Sequence, residues 1–187
     1  MVMHIDVGSV LRGSVCELYS NLLTRPTGAA VRTAIEQQVA EIAMPMVTSI
    51  DFSQVNLLDF SCADEIVAKL LLRYAKDEGP RCYITFRGIH DGHIDPIETV
   101  LERHSLALVS WHGGAAELFG HVDTSERFFW EAVRDHGPLS ASAVAVVTSK
   151  PLEESERQLD HLVARRLLMF ADIGYAVPGM PTGRENA

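Results

Sequence analysis

Ser61 is the side chain whose position in the sequence most suggests chemistry. It follows the apolar stretch 46–58, which predicts a buried strand and a short loop, and it stands where a helix N-cap belongs, with Asp64 three residues on to complete a capping box. A helix N-terminus tolerates the charge of a phosphate through its free N–H groups and dipole. Two roles stay open for Ser61: a phospho-acceptor or partner-docking residue flanked by Asp59 and Asp64, or a plain helix cap.

The turn at residues 24–28 is a second candidate site. Two threonine hydroxyls, two arginine guanidinium groups and a glycine are close together in the sequence at a predicted helix start. They belong to Thr24, Arg25, Thr27, Gly28 and Arg32, and they could hold a phosphate or a carboxylate. The alternative is ordinary capping by a threonine, with Pro26 in the first turn. The turn lacks the GxxxxGK[ST] pattern, so nucleotide hydrolysis is not supported.

A third candidate is the segment with His90 and His93, which follows a predicted strand, where ligands often bind in parallel sheets. Together with Asp91, Asp95 and His112 these histidines could form a metal site. Two histidines beside glycine are more often solvated loop residues, and the three cysteines form no CxxC pair. We therefore predict neither a metal nor a cofactor.

Composition limits the classes of function. The chain has 187 residues, 47% of them hydrophobic, and a net charge of -9, which argues against a strongly nucleic-acid-binding surface over the whole molecule and against anionic membranes. No apolar run approaches the roughly 20 residues of a membrane span, and we find no signal-peptide pattern. These features favour a cytoplasmic protein that does not bind membranes.

The first part of the chain alternates strand and helix patterns. It predicts strands at 4–7, 47–53, 81–87 and 106–111, and helices at 14–22 (capped by Ser14), 28–43, from Ser61 to the Gly79-Pro80 pair, 96–103 (capped by Asp95) and 115–119. The helix after Ser61 has an apolar stripe, Ala63, Ile66, Val67, Leu70, Leu71 and Tyr74, and a polar face, Asp64, Glu65, Lys69, Arg73 and Lys76. Such alternation predicts an α/β domain with a mostly parallel sheet and covering helices.

The second part predicts three helices and a hairpin. The helices span 126–135, capped by Ser125, then 141–147, capped by Ser140, and then 152–167; the core-facing side chains include Phe129, Trp130, Val133, Ala143, Val144, Val147, Leu152, Leu159 and Leu162. The hairpin follows with a turn at 171–174. A tail at 180–187 is predicted to be disordered.

Residues 46–74 resemble the STAS family, the fold of bacterial anti-sigma-factor antagonists. They are closer still to STAS-like domains whose helix begins Ser-Phe-Ala-Asp-Glu; here the residues are Ser61-Cys62-Ala63-Asp64-Glu65. The resemblance covers roughly residues 1–120. It implies a functional serine at this strand-to-helix turn and a regulatory protein partner, such as a kinase or an anti-sigma-like factor.

The second part resembles a winged helix-turn-helix, a small α+β fold. The segment Gly137-Pro138-Leu139-Ser140, followed by residues 159–168, is typical of that superfamily in bacteria. The resemblance implies contacts to double-stranded DNA by the third helix, carried here by Ser149, Lys150, Arg157 and Arg165. Three glutamates at the start of this helix, at 153, 154 and 156, would repel the polyanionic DNA.

The sequence thus predicts a STAS-like domain at 1–120 and a winged-helix domain at 121–179 in a non-enzymatic regulatory protein. The first would sense a partner or signal, and the second would regulate transcription. One alternative is a protein-interaction adaptor whose winged helix binds protein rather than DNA. A further alternative is a small-ligand or metal-binding protein. Either domain could mediate a homodimer.

Overall fold

The computed structural model describes residues 2–15, 20–41, 47–75 and 82–180. The chain divides into two compact units, Met1–His121 and Val122–Ala187. Cys16, Lys76, the Gly79-Pro80 pair and all but the first residue of the predicted tail lie outside the described residues.

The first unit is an α/β structure built on a mostly parallel sheet. In chain order it contains β1 (Val2–Asp6), α1 (Val7–Ser14), β2 (Asn21–Leu22), α2 (Arg25–Glu41), β3 (Val47–Asp51), β4 (Leu57–Leu58), α3 (Phe60–Ala63), a π-helical turn (Asp64–Ala68), α4 (Lys69–Tyr74), β5 (Tyr83–Arg87), α5 (Asp91–Arg103), β6 (Ala107–His112) and β7 (Ala115–Gly120). The five-stranded sheet has the order β1-β3-β5-β6-β7, with only β7 antiparallel to its neighbour. The central strands are buried almost throughout, as expected of parallel strands covered by helices.

The prediction of a short helix over 115–119 is wrong, because these residues belong to strand β7. Gly113 and Gly114 both have positive φ, 56° and 87°, which is the conformation of a two-residue hairpin turn. Ala116 and Leu118 are buried and alternate with the exposed Ala115 and Glu117, so the side-chain period is that of a strand.

The region of the first helix also differs from its prediction. The first helix begins at Val7, where the Asp6 carboxylate accepts from Gly8 N at 2.9 Å, so Ser14 ends a helix instead of capping one. The predicted helix over 14–22 is wrong at its end, because Asn21 and Leu22 pair in parallel with Leu57 and Leu58.

Helix α5 begins at Asp91, with His90 as its cap, and not at Pro96. Nδ1 of His90 accepts from Gly92 N at 3.2 Å. Asp95 is therefore inside the helix. Pro96 also lies inside it, where the ring removes one intrahelical hydrogen bond.

Over residues 122–180, the second unit contains three helices and a two-stranded hairpin. These are α6 (Thr124–His136), α7 (Ala141–Thr148), α8 (Leu152–Ala164), β8 (Met169–Ala171) and β9 (Gly174–Ala176). Leu139, between α6 and α7, forms an antiparallel bridge with Tyr175 of β9. Phe129, Trp130 and Val133 are fully buried, as predicted, and Trp130 Nε1 donates to the Leu167 carbonyl at 3.0 Å.

Some details of the second unit differ from the predictions. Asp123, not Ser125, caps α6 through a capping box with Glu126, whereas Ser140 caps α7 as predicted. Helix α8 ends at Ala164, three residues before its predicted end. Val147 and Leu152 were predicted to face the core, but both are exposed.

Candidate functional site

Ser61 is not the helix cap. Helix α3 begins at Phe60, and Asp59 is its N-cap: Oδ1 of Asp59 accepts from Cys62 N at 2.8 Å. The half-buried Ser61 hydroxyl donates to Asp59, with Oγ 2.9 and 3.0 Å from the two carboxylate oxygens. Asp59 is the capping residue because its carboxylate can accept hydrogen bonds from the backbone and from Ser61 at the same time.

The environment of Asp59 holds it in the charged form. Desolvation raises the pKa of this carboxyl, but the Cys62 N–H and the Ser61 hydroxyl outweigh desolvation, so the pKa lies below its ordinary value. A phosphate on Ser61 would therefore lie beside an ionised carboxylate that already occupies the helix N-terminus.

Asp64 lies away from the cap and makes an ion pair across the fold. Its Oδ2 accepts from Arg25 Nη1 of α2 at 2.7 Å, and its Oδ1 lies 2.9 Å from His104 Nε2, next to the end of α5. Desolvation raises the pKa of Asp64, yet Arg25 and His104 bring it below the ordinary value. The capping box predicted for Ser61 and Asp64 is thus replaced by contacts with α2 and with His104.

Glu65 is the most buried of the carboxylates that the structure describes in the first unit, with 3% of its surface exposed. Oε1 accepts from Arg25 at 2.9 Å and from Lys69, and Oε2 accepts from Arg32 Nε at 3.2 Å. Desolvation raises its pKa, but Lys69 and Arg25 hold the pKa below the ordinary value. Asp64 and Glu65 belong to the predicted polar face of this helix, and both are buried where that face meets the arginines of α2.

These contacts extend into a cluster of eight charged or titratable side chains. Arg32 also binds Glu36 at 2.8 Å, and Arg73 binds Glu36 at 3.1 Å. We call this group the ion-pair cluster; it consists of Arg25, Arg32, Glu36, Asp64, Glu65, Lys69, Arg73 and His104. Sequence reasoning missed His104 and Glu36 as members, although the i,i+4 spacing of Arg32 and Glu36 was a visible signal.

The π-helical turn carries both carboxylates at the centre of the cluster. All five of its residues, Asp64 to Ala68, are buried. Turns of this kind inside α-helices are rare and frequently mark functional positions. Here the turn lies against α2 and α5, where its carboxylates meet Arg25, Arg32 and His104.

The predicted anion-binding turn at 24–28 faces this cluster. Arg25 and Arg32 direct their guanidinium groups to the chain's own carboxylates, and the hydroxyls of Thr24 and Thr27 bond to each other at 2.9 Å. A Cβ on Gly28 would lie 2.9 Å from the Cys62 Cα, so α2 and α3 approach closely at this glycine. The first and second predicted sites are thus adjacent, and an external anion would compete with Asp64 and Glu65 for the arginines.

Three large apolar side chains are exposed beside Ser61. Leu23, Leu57 and Phe60 are 50%, 52% and 53% exposed. Leu57 belongs to β4, Leu23 directly follows the neighbouring strand β2, and Phe60 opens α3. We call these three residues the Phe60 patch.

His90 and His93 form a stacked pair, with ring centroids 3.6 Å apart. His93 is fully buried inside α5, so the predicted loop position is wrong for this residue. Neither of its ring nitrogens has a hydrogen-bond partner among the residues that the structure describes. Desolvation and the neighbouring His90 lower its pKa to about 4, and the opposing effect of the Val55 carbonyl, which also contacts His90, is smaller.

His93 is therefore neutral at physiological pH. Over the described residues, no three histidine, cysteine or acidic side chains are grouped to hold a metal ion. The structure therefore does not bring together the candidate metal ligands, which were His90, Asp91, His93, Asp95 and His112.

Two of the predicted DNA-contacting residues of the second unit, Lys150 and Arg165, lie against carboxylates. Arg165 and His161 both bind Glu126, which is buried, and His161 Nε2 lies 2.9 Å from the carboxylate. Lys150 lies 3.8 Å from Glu154.

Ser149 holds the left-handed conformation that ends α7, and Arg157 is exposed on α8. The four predicted residues thus do not form one continuous positive face.

Comparison of the sequence with family models and curated proteins, and of the structure with solved structures, gives no match. None of the helices within the described parts of the chain is long and apolar enough to cross a membrane.

Proposed function

We propose that this chain is a non-enzymatic, cytoplasmic regulatory protein whose first unit is a STAS-like module that binds a regulatory protein partner through the Phe60 patch. This proposal is carried by the exposure of Leu57 in β4, of Leu23 directly after the paired strand β2, and of Phe60 at the start of α3. Exposed apolar groups that cluster on a folded unit characteristically mark a protein-binding surface. The mostly parallel sheet and the helix after Ser61 support the STAS-like assignment.

Ser61 is the residue at which this docking would be regulated. Phosphorylation by a partner kinase would add roughly -1.5 to -2 charges beside Phe60. The Asp59 carboxylate, within 3.0 Å of the Ser61 oxygen, would repel that charge. Modification would therefore weaken docking and disturb the start of α3.

We assign the second unit to the winged-helix fold. Support comes from the order of its elements and from the antiparallel bridge that Leu139 makes with Tyr175 of the hairpin. We propose that it acts by binding protein, because the cations Arg165 and Lys150 lie against Glu126 and Glu154. The whole chain would then be an adaptor with two protein-binding modules.

Transcription regulation by DNA binding is the second candidate. It is favoured by the exposure of Arg157 and by the place of α8 as the third helix of the unit. The small-ligand alternative ranks lower, because Arg25 and Arg32 face Asp64 and Glu65. A homodimer through edge strand β1 is compatible with either function.

Affinity purification from cells that contain the chain at its native level tests the first interface. The variant Phe60→Glu should lose a partner that the wild type recovers in near-stoichiometric amount. Leu72→Glu is the matched control: Leu72 is an exposed apolar residue of the same helical segment, about 18 Å farther along the axis. Equal recovery with both variants would refute docking at the Phe60 patch.

A further inference from the structure

The corner between α7 and α8 exposes three apolar side chains. Val146, Val147 and Leu152 are 79%, 42% and 47% exposed. We call these three residues the α7–α8 face. They lie at the end of one helix and the start of the next, on either side of the turn at 149–151.

These side chains lie outside the buried core of the unit, although Val147 and Leu152 are partly covered. Val144 and Thr148 of α7 are buried, and Leu159 and Leu162 of α8 are fully buried, so other positions hold the two helices together. The exposed apolar residues of the α7–α8 face are thus additional to the core. An apolar group that remains in water in this way favours burial against a partner.

The charges beside the α7–α8 face are mainly negative. Helix α8 carries four carboxylates, at 153, 154, 156 and 160, against one arginine. Glu153 and Glu156 are exposed and form no ion pair among the described residues. Their free charge would repel a nucleic acid and attract lysine or arginine side chains.

We propose that the α7–α8 face binds a basic amphipathic helix of a protein partner. The apolar side of that helix would cover Val146, Val147 and Leu152, and its lysines or arginines would pair with Glu153 and Glu156. Recognition would thus depend on the apolar side of an amphipathic helix, with the charges setting its orientation. The inference rests on the proposed function only in treating the second unit as a protein-binding module.

The test uses the full chain and a fluorescein-labelled helical peptide of leucine and lysine, with the leucines on one side. Fluorescence anisotropy at physiological salt should show saturable binding in the micromolar range. Leu152→Glu should weaken binding at least about ten-fold, because a carboxylate would enter the apolar contact. This variant makes the chain more negative, so purely electrostatic attraction would predict tighter binding instead.

Two controls sharpen the result. Phe128→Glu changes an exposed apolar residue of α6 and should leave the affinity within about two-fold. The double variant Glu153→Lys/Glu156→Lys should lose the lysine peptide and bind a leucine–glutamate counterpart. Circular dichroism should show unchanged helix content for each variant, because Leu152, Phe128, Glu153 and Glu156 are exposed.

Several outcomes would overturn the inference. They are the absence of saturable binding, an equal loss with Phe128→Glu, and tighter binding by Leu152→Glu. A wild-type dimer in analytical ultracentrifugation that Leu152→Glu dissociates would assign the face to a second copy of the chain. None of these measurements involves the Phe60 patch, so the two proposals can fail separately.

Discussion

Arg25 of α2 binds Asp64 of the π-helical turn, with Nη1 and Oδ2 2.7 Å apart, although the two residues are 39 positions apart in the chain. The same guanidinium group also binds Glu65. This pair joins the start of α2 to the helix after Ser61. Residues that suggested two separate binding sites in the sequence therefore form one internal cluster.

Glu65→Gln should destabilise the first unit by about 2–3 kcal/mol, because Arg25 and Arg32 would lose their shared charged partner at a buried position. Urea unfolding followed through the NMR amide signals of β3 and β5 measures this change. Glu98→Gln, an exposed glutamate on α5, should stay within about 0.5 kcal/mol. Equal effects of the two substitutions would contradict a stabilising role for the cluster.

His93→Phe should remove part of the pH dependence of stability. The pKa of His93 is about 4 in the folded chain and 6.5 ordinarily, so the unfolded chain binds the additional proton between these values. Its contribution to stability is complete above pH 6.5 and declines as the pH falls towards 4, by up to about 1.4 kcal/mol per pH unit. Phenylalanine keeps the aromatic contact with Phe52 and cannot titrate.

Urea unfolding of the first unit at pH 7, 6 and 5 compares wild type with His93→Phe. We expect a smaller loss of stability in the variant over this range. His112→Gln, at an exposed position at the end of β6, should retain the wild-type dependence. Identical slopes for wild type and His93→Phe would show that burial of His93 has no energetic consequence.

Asp123→Ala should cost about 1 kcal/mol of second-unit stability, because the carboxylate caps α6 by accepting from Glu126 N at 2.8 Å. Ser125→Ala should cost less than about 0.5 kcal/mol, since Ser125 lies inside the helix. Hydrogen exchange of the α6 amides measures both effects. A larger cost for Ser125 would support the capping assignment made from the sequence alone.

The full chain should bind random-sequence duplex DNA no more tightly than about 10⁻⁴ M, the weak end of non-specific affinity, because α8 carries four carboxylates and one arginine. Fluorescence anisotropy at rising salt measures this binding, and Arg157→Ala should not change it. A tighter complex that weakens with salt, and weakens further in Arg157→Ala, would favour the transcription regulator.

Local sequence patterns predicted most helices and strands but misplaced several starts. Serine and aspartate both cap helices, and the sequence alone does not show which one the backbone uses. Asp59 and Asp123 cap the helices for which Ser61 and Ser125 were predicted as caps, and Asp6 caps a helix that ends at Ser14, where a helix was predicted to begin. Strand β7 was missed because alanine-rich segments also suit helices, and its antiparallel pairing depends on β6.

The ion-pair cluster could be foreseen only in part. The pairs Glu65–Lys69 and Arg32–Glu36 have i,i+4 spacing and are visible in the sequence. The contacts of Asp64 with Arg25 and His104 join residues 39 and 40 positions apart. Their formation depends on how α2 and α5 pack against the π-helical turn, which no local pattern specifies.

Docking at the Phe60 patch is tested most directly by a photo-reactive amino acid placed at position 60 of the full chain, with position 72 as the matched control. Irradiation in cells that contain the chain at its native level should yield one discrete cross-linked protein from position 60 and none from position 72. Ser61→Asp should reduce that product, and Ser61→Ala should preserve it. The same products from both positions, or none from either, would contradict partner binding at this patch.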